Sequence, residues 1–106
     1  MINLLRKLQN DQTARDMSMS GIELGTTRTR ILCNNVAKNS SLKCLSMNRK
    51  CIEEEVGEDL AKMLLYNNNL RKLELESNKL GPHSAKAFSD VIRHNKVLEF
   101  LDLENN

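Results

Sequence analysis

Apolar residues recur along the chain at two alternating periods. Residues 70–75 place Leu73 and Leu75 between charged neighbours, which is the two-residue period of a half-buried strand. Residues 81–95 instead place apolar side chains at steps of three and four, which predicts one apolar stripe on a helix. The stripe positions are Ala85, Phe88, Val91 and Ile92. The local pattern is therefore a strand followed by a helix.

This strand-and-helix unit repeats every 28 residues. Segment 42–47 resembles 70–75, both resemble 98–103, and stepping back once gives 14–19. The columns that keep this register are Ala14/Leu42/Leu70/Leu98, Met17/Leu45/Leu73/Leu101, Met19/Met47/Leu75/Leu103, Leu24/Ile52/Leu80, Leu4/Leu32/Leu60/Phe88, Leu8/Val36/Leu64/Ile92 and the polar set Asp11/Asn39/Asn67/Asn95. Agreement of so many columns predicts a solenoid, because stacked repeats bury one continuous core. We interpret residues 1–106 as a single domain whose parts are a partial repeat 1–13, repeats 14–41, 42–69 and 70–97, and a partial repeat 98–106.

Helices are predicted near residues 2–10, 26–38, 54–66 and 82–94. Pro82 suits a first helical turn, where its missing N–H has no helical partner. The column Asn39/Asn67/Asn95 stands where each helix must stop. Because Asn tolerates the left-handed conformation, we expect these residues to end the helices in that conformation.

Segment 70–80 matches the leucine-rich-repeat pattern L-x-x-L-x-L-x-x-N-x-L completely, and 98–106 matches it as far as the chain goes. With 28-residue units and full helices, the chain resembles the ribonuclease-inhibitor type of leucine-rich repeat. That resemblance implies an α/β fold: a right-handed horseshoe segment with a parallel sheet on the concave face and helices on the convex face. Ile22 and Lys50 replace the pattern's Asn in the first two repeats. Since that Asn normally satisfies backbone groups, these turns are expected to be irregular or looser.

Within this type, segment 70–81, segment 57–64 and the Asn-rich joints look like the repeats of tropomodulin, the actin pointed-end capping family. The tropomyosin-binding helices of that family have no counterpart here. The same sequence segments also resemble repeats of NOD-like receptors, the Ran GTPase activator and axonemal proteins. A consensus repeat carries information about fold and little about function.

Both ends of the chain predict a fragment. The helix near 2–10 fits the register of a repeat whose strand is missing, and Asn106 falls in the middle of the fourth repeat. Solenoid units bury their faces only against neighbours, so open ends need caps. We expect a piece of a longer horseshoe. The alternative is a complete small protein that covers the edge of its last strand, near 97–103, by dimerising.

Residues between the buried leucines of a strand point to the opposite, concave face. Three outward columns follow: Asp16/Cys44/Lys72/Phe100, Ser18/Ser46/Glu74/Asp102 and Ser20/Asn48/Glu76/Glu104. This face becomes acidic toward the C-terminus, and an exposed Phe100 is a common kind of anchor. We predict a docking surface for a basic protein segment. The alternative is a solvated sheet face whose carboxylates only keep the edge soluble.

Composition and charge exclude several classes of function. Three aromatic residues in 106 argue against an all-β fold, and 16 Lys and Arg against 14 Asp and Glu leave a net charge of only +2. The basic residues form no clustered stripe, so we predict no nucleic-acid partner. No apolar run approaches the ~20 residues of a membrane span, and the start becomes charged too soon for a secretory signal. With three cysteines and no C-x-x-C, we expect a cytoplasmic protein with reduced thiols.

No catalytic, cofactor or metal site is predicted. His83 and His94 lack the spacing of a helical zinc pair, and no Gly-rich phosphate loop is present. Cys44 has no base placed by the repeat register, and a reactive thiol needs one. We therefore predict a non-catalytic protein-interaction module whose partner is a basic segment or actin. The alternatives are a tropomodulin-like actin-filament regulator, a structural or signalling scaffold of the NOD-like-receptor or axonemal kind, and, more remotely, a GTPase activator, for which no matched catalytic Arg is identifiable.

Overall fold

A computed structural model describes residues 1–106 and contains four strands and four helices. In chain order, these are α1 (Ile2–Gln9), β1 (Asp16–Ser18), α2 (Thr26–Lys38), β2 (Cys44–Ser46), α3 (Gly57–Tyr66), β3 (Lys72–Glu74), α4 (Gly81–Ile92) and β4 (Phe100–Asp102). The strands form one parallel sheet in the order β1-β2-β3-β4. The predicted α/β solenoid is therefore confirmed. None of the helices has the length and apolar character needed to cross a bilayer.

The strand register reproduces the 28-residue repeat. Asp16 pairs with Cys44, Cys44 with Lys72, and Lys72 with Phe100. Neighbouring parallel strands lie about 4.8 Å apart, whereas packed helices need 8–10 Å between their axes. The layer of helices is thus the longer one, and the solenoid curves with the sheet on its concave face.

The core consists of 19 buried apolar residues from both layers. In the helical column, Leu8, Val36 and Leu64 are almost fully buried because the following helix covers each of them. Ile92, the next member, is 46% exposed, since no helix packs outside α4. Ala85, which the sequence pattern assigned to the same apolar stripe, is also exposed.

The predicted helix bounds agree with the structure to within a few residues. Helix α2 has the predicted span, and Pro82 lies in the first turn of α4 as expected. The predicted helix 54–66 is instead divided into a 3₁₀ turn, Glu54–Val56, followed by α3. Gly57 opens α3 and is buried against Ser84, whose hydroxyl donates to the carbonyl of Leu80 at 2.8 Å.

The asparagine column ends the helices, but the predicted left-handed conformation is wrong. Asn39 has φ −79° and ψ 140°, and Asn67 has φ −79° and ψ 123°, so both are extended. Their side chains explain the choice of Asn. The Asn39 amide donates to the carbonyl of Leu8 at 2.9 Å, and its oxygen accepts from the N–H of Leu42 at 2.8 Å. Each Asn therefore ties the end of its own helix to the preceding repeat.

Candidate protein-interaction surface

The predicted outward residues stand in columns on the concave face. The first two columns are direct strand partners, as for Ser46 opposite Glu74 and Glu74 opposite Asp102. The third column lies just beyond the strands, where the backbone ladder continues from Arg49 N–H to the carbonyl of Glu76 at 2.9 Å. The structure thus brings all twelve predicted residues onto one surface. Their role in binding stays a prediction.

The β3–β4 end of this face, which we call the acidic end, carries Glu74, Glu76, Asp102 and Glu104. Carboxylate oxygens of the last three lie within 4.8 Å of one another. The ion pair of this group is between Arg49 and Glu76, at 3.6 Å. The other three carboxylates make no ion pair, so this end holds uncompensated negative charge. Like charges on neighbouring strands repel each other. Such oxygens suit hard cations, but partly exposed carboxylates alone do not define a metal site.

An aromatic and cationic corner borders the acidic end. The Phe100 side chain is 50% exposed, and the ammonium of Lys72 lies 5.1 Å from the centroid of its ring. Such a cation–π contact holds a long, flexible side chain at modest energetic gain. The exposed ring is therefore presented beside both signs of charge.

The β1–β2 end differs from the acidic end. It contains a cleft of about 410 Å³, which we call the polar cleft. Its lining residues are Ser18, Ser20, Gly21, Ser46, Asn48, Arg49 and Lys50. None of them is acidic or apolar. The sequence columns identified the serines and Asn48 but missed Gly21, Arg49 and Lys50.

The missing Asn at two repeat positions explains the shape of the polar cleft. In the third repeat, Asn78 donates to the carbonyl of Met47 at 3.0 Å and accepts from the N–H of Lys50 at 2.8 Å. One repeat earlier, the Lys50 ammonium instead reaches the carbonyl of Ile22 at 2.8 Å. The predicted irregularity is confirmed. Cys51 adopts φ 55°, and its repeat equivalent Lys79 has no positive φ.

The backbone ladder also opens at this turn. Arg49 and Ser77 donate their N–H groups to the next repeat at 2.9 and 2.8 Å. Gly21 occupies the equivalent position, and its N–H makes no intramolecular hydrogen bond. Gly21, a lining residue of the polar cleft, therefore carries a backbone N–H without a partner in the protein.

Cys33 and Cys44 lack the lowered pKa of a nucleophilic thiol. The pKa of Cys44 is raised from its ordinary value, first by partial desolvation and then by the Asp16 carboxyl. Burial raises the pKa of Cys33 to about 12, with a further contribution from Asp59. His83 belongs to α4, on the opposite layer from Cys44, and its Nε2 lies 3.2 Å from Glu58. His83 and Cys44 therefore do not belong to one site.

A second cavity lies away from this face, at the C-terminal ends of α2 and α3. Its volume is about 830 Å³, and Lys38, Tyr66, Asn68 and Asn69 contribute to its wall. Both amide atoms of Asn69 are already used, by Lys43 and the carbonyl of Leu42. The strand columns give no signal for this cavity, because its residues lie in the joints.

No family model matches the chain. Its sequence is similar to mouse NACHT, LRR and PYD domains-containing protein 4C, with 34% identity over 100 residues, 92% of this chain and 10% of that protein. It is also similar to pig ribonuclease inhibitor, with 31% identity over 80 residues, 74% of this chain and 18% of the inhibitor. The chain thus spans a tenth to less than a fifth of the length of these relatives.

Two solved structures share the fold. A structure titled leiomodin-1 actin-binding site 2 superposes with a TM-score of 0.86 at 17% identity, covering 93% of this chain and 58% of that one. The C-terminal domain of Caenorhabditis elegans tropomodulin gives a TM-score of 0.66 at 15% identity, covering 97% and 81%. At such identities the likeness concerns the fold alone.

Proposed function

Because this chain belongs to the leucine-rich-repeat family, we propose that it is a non-catalytic, cytoplasmic protein-interaction module whose concave face binds a segment rich in Lys and Arg. The observation that carries the proposal is the acidic end, where four carboxylates share a surface with one ion pair. The proposed contact residues are Asp16, Ser18, Ser20, Cys44, Ser46, Asn48, Lys72, Glu74, Glu76, Phe100, Asp102 and Glu104.

The energetics favour a basic partner. Repulsion among Glu76, Asp102 and Glu104 is present in the free protein and is relieved when cations are placed between the carboxylates. The sheet holds these groups in place before binding, so little ordering cost is added for this partner. Phe100, half exposed, offers apolar area at the border for the aliphatic stem of a Lys or Arg.

The test measures binding of a fluorescent Lys/Arg-rich peptide as a function of salt. In the triple variant Glu74→Gln, Glu76→Gln, Asp102→Asn we expect about 10-fold weaker binding, since each exposed ion pair contributes roughly 0.2–1 kcal/mol. The salt dependence should also become shallower.

A matched control removes three charges elsewhere, by Glu23→Gln, Glu53→Gln and Asp90→Asn. All three residues are exposed, and none of their carboxylates makes an ion pair. If the control weakens binding as much as the concave triple variant, net charge and not the acidic end is responsible. Unaltered binding in the concave triple variant would contradict the proposal.

Actin-filament regulation is a second candidate, favoured by the superposition on leiomodin-1 actin-binding site 2 at a TM-score of 0.86. The chain would then bind actin through the same rigid repeat surface. Co-sedimentation with filaments and pointed-end elongation test this candidate. An elongation rate that does not change at saturating protein excludes it.

A signalling scaffold of the NOD-like-receptor kind is the third candidate, favoured by 34% sequence identity to a mouse protein with NACHT, LRR and PYD domains. In this case the chain supplies the recognition surface for a larger protein. Proximity labelling in cells tests it. Labelled neighbours that include no signalling proteins count against this candidate.

A further inference from the structure

We propose that the polar cleft is an oxyanion subsite that receives the phosphate of a phosphorylated side chain on the partner segment. The inference rests on the proposed function, because the cleft lies on the same concave face as the acidic end. The partner must then carry a negatively charged phosphate as well as basic residues.

The origin of the cleft is a change in the sequence of the turns. Where Asn78 joins its own turn to the preceding one, positions 22 and 50 carry Ile and Lys, and the first two turns are joined by one long ammonium side chain. At the same turn, the Gly21 N–H has no acceptor within the protein. The φ of 79° at Gly21 is shared in sign by the repeat equivalents Arg49 and Ser77, so the unpaired N–H and not the backbone conformation distinguishes Gly21 from them.

The groups around the cleft are mainly donors. The Ser18 oxygen already accepts from the N–H of Ser20 at 3.1 Å, which leaves its O–H free to donate outward. The Asn48 oxygen accepts from the N–H of Glu76 at 2.7 Å, which leaves the amide NH₂ unpaired. The Ser46 and Ser20 hydroxyls make no hydrogen bond within the protein. An acceptor-rich ligand matches this set.

Two cations complete the site. The Lys50 ammonium uses one of its three donors on the carbonyl of Ile22, and two remain. The side chain of Arg49 is 77% exposed and shares its charge with Glu76 at 3.6 Å. A phosphoryl group carries close to two negative charges and three acceptor oxygens. The two cations and several neutral donors of the cleft match this ligand better than a carboxylate, which has one charge and two oxygens.

The polar cleft is thus lined by two cations and the acidic end by carboxylates, with Asp16 of β1 as an exception that Arg15 contacts at 4.0 Å. This arrangement orients the partner. Its phosphate would occupy the β1–β2 side while its Lys and Arg residues meet Glu74 and Asp102 across β3 and β4. Arg49, which contacts Glu76, stands at the boundary of the two regions. The expected ligand is a segment in which a phosphorylated residue is followed or preceded at short distance by basic residues.

The test titrates the ¹⁵N-labelled chain with a Lys-rich peptide that contains one phosphoserine, and with matched peptides that carry Ser or Glu at that position. We expect the phosphopeptide to bind about 10-fold more tightly than the Ser peptide, because charge-assisted hydrogen bonds are the strong ones. The Gly21 amide resonance should shift on binding. The advantage should disappear in Arg49→Gln and in Lys50→Asn, which restores the repeat's usual residue and allows the turn to close.

Lys62→Gln is the matched control, since Lys62 is exposed on α3 and makes no ion pair. It should keep the full phosphate advantage. Equal binding of phosphoserine, Ser and Glu peptides, or an unmoved Gly21 resonance, would overturn the inference. So would inorganic phosphate binding as tightly as the phosphopeptide, or binding only to phosphoinositide vesicles. The acidic triple variant separates the two proposals. If it loses binding of the basic peptide while the native chain shows no preference for the phosphopeptide, the proposed function stands and only the phosphate subsite is refuted.

Discussion

Replacing Asn67 with Ala should remove a buried link between two neighbouring repeats. Its side chain is 1% exposed, and its amide donates to the carbonyls of Val36 at 2.6 Å and Asn39 at 3.2 Å. Its oxygen accepts from the N–H groups of Asn69 at 2.7 Å and Leu70 at 2.6 Å. One side chain therefore satisfies four backbone groups at the junction of a helix, the following strand and the preceding repeat.

The magnitude follows from those four bonds. Each typical hydrogen bond contributes about 1 kcal/mol, and leaving its buried partner unsatisfied costs roughly 1–3 kcal/mol. Allowing for partial relaxation and entry of water, we expect Asn67→Ala to lower the free energy of unfolding by about 3–5 kcal/mol. That is a large share of the roughly 5–15 kcal/mol of a whole domain.

The assay is urea unfolding followed by far-UV circular dichroism. The neighbouring Asn68 is the control: it is exposed and its side chain makes no hydrogen bond, so Asn68→Ala should change stability by less than about 0.5 kcal/mol. If the unfolding free energy of Asn67→Ala also depends less steeply on urea concentration, the repeats on either side no longer unfold together. If the two variants differ by less than about 1 kcal/mol, the asparagine column does not hold the repeats together as argued.

Two further predictions concern close packing and pH. Gly57→Ala would place a Cβ 1.9 Å from the hydroxyl oxygen and 2.5 Å from the Cβ of Ser84, so it should cost about 1–3 kcal/mol in urea unfolding, and Ser84→Gly in the same chain should restore part of it. Because the Cys33 pKa is about 12 in the folded state against 9.0 ordinarily, the unfolded chain loses this proton first as pH rises. Stability should therefore fall between pH 9 and 12, by up to about 4 kcal/mol, and Cys33→Ala should lack that fall; identical pH profiles would refute it.

The repeat register could be predicted from sequence because each buried column is a chemical constraint repeated four times. The pairing of Cys44 with Lys72 and of Lys72 with Phe100 follows directly from the 28-residue period. The conformation of Asn39 and Asn67 could not be predicted in the same way. Their extended backbone depends on hydrogen bonds to carbonyls about one repeat away, and local preference for the left-handed region says nothing of those.

The candidate site was predictable to a similar depth. Strand alternation placed the acidic residues, since it depends only on which side chains face away from the core. The polar cleft could not be predicted in this way. Its free Gly21 N–H reflects a hydrogen bond that is missing between two turns, and residue types alone do not predict such an absence. The departures at Ile22 and Lys50 were its visible signal, and they predicted a looser turn without predicting the donors that gather there.

The fold and the proposed recognition use separate sets of residues. Similarity to known proteins can therefore indicate the fold without indicating the partner. Buried positions such as Leu45 and Leu73 carry the same residue in successive repeats, because both side chains must pack in the core. The adjacent outward column changes from Ser46 to Glu74 without disturbing the strand pairing. Outward positions can therefore diverge freely while a TM-score stays high. Partner specificity has to be sought in those columns and in the turns that continue them, where this chain carries opposite charges at its two ends.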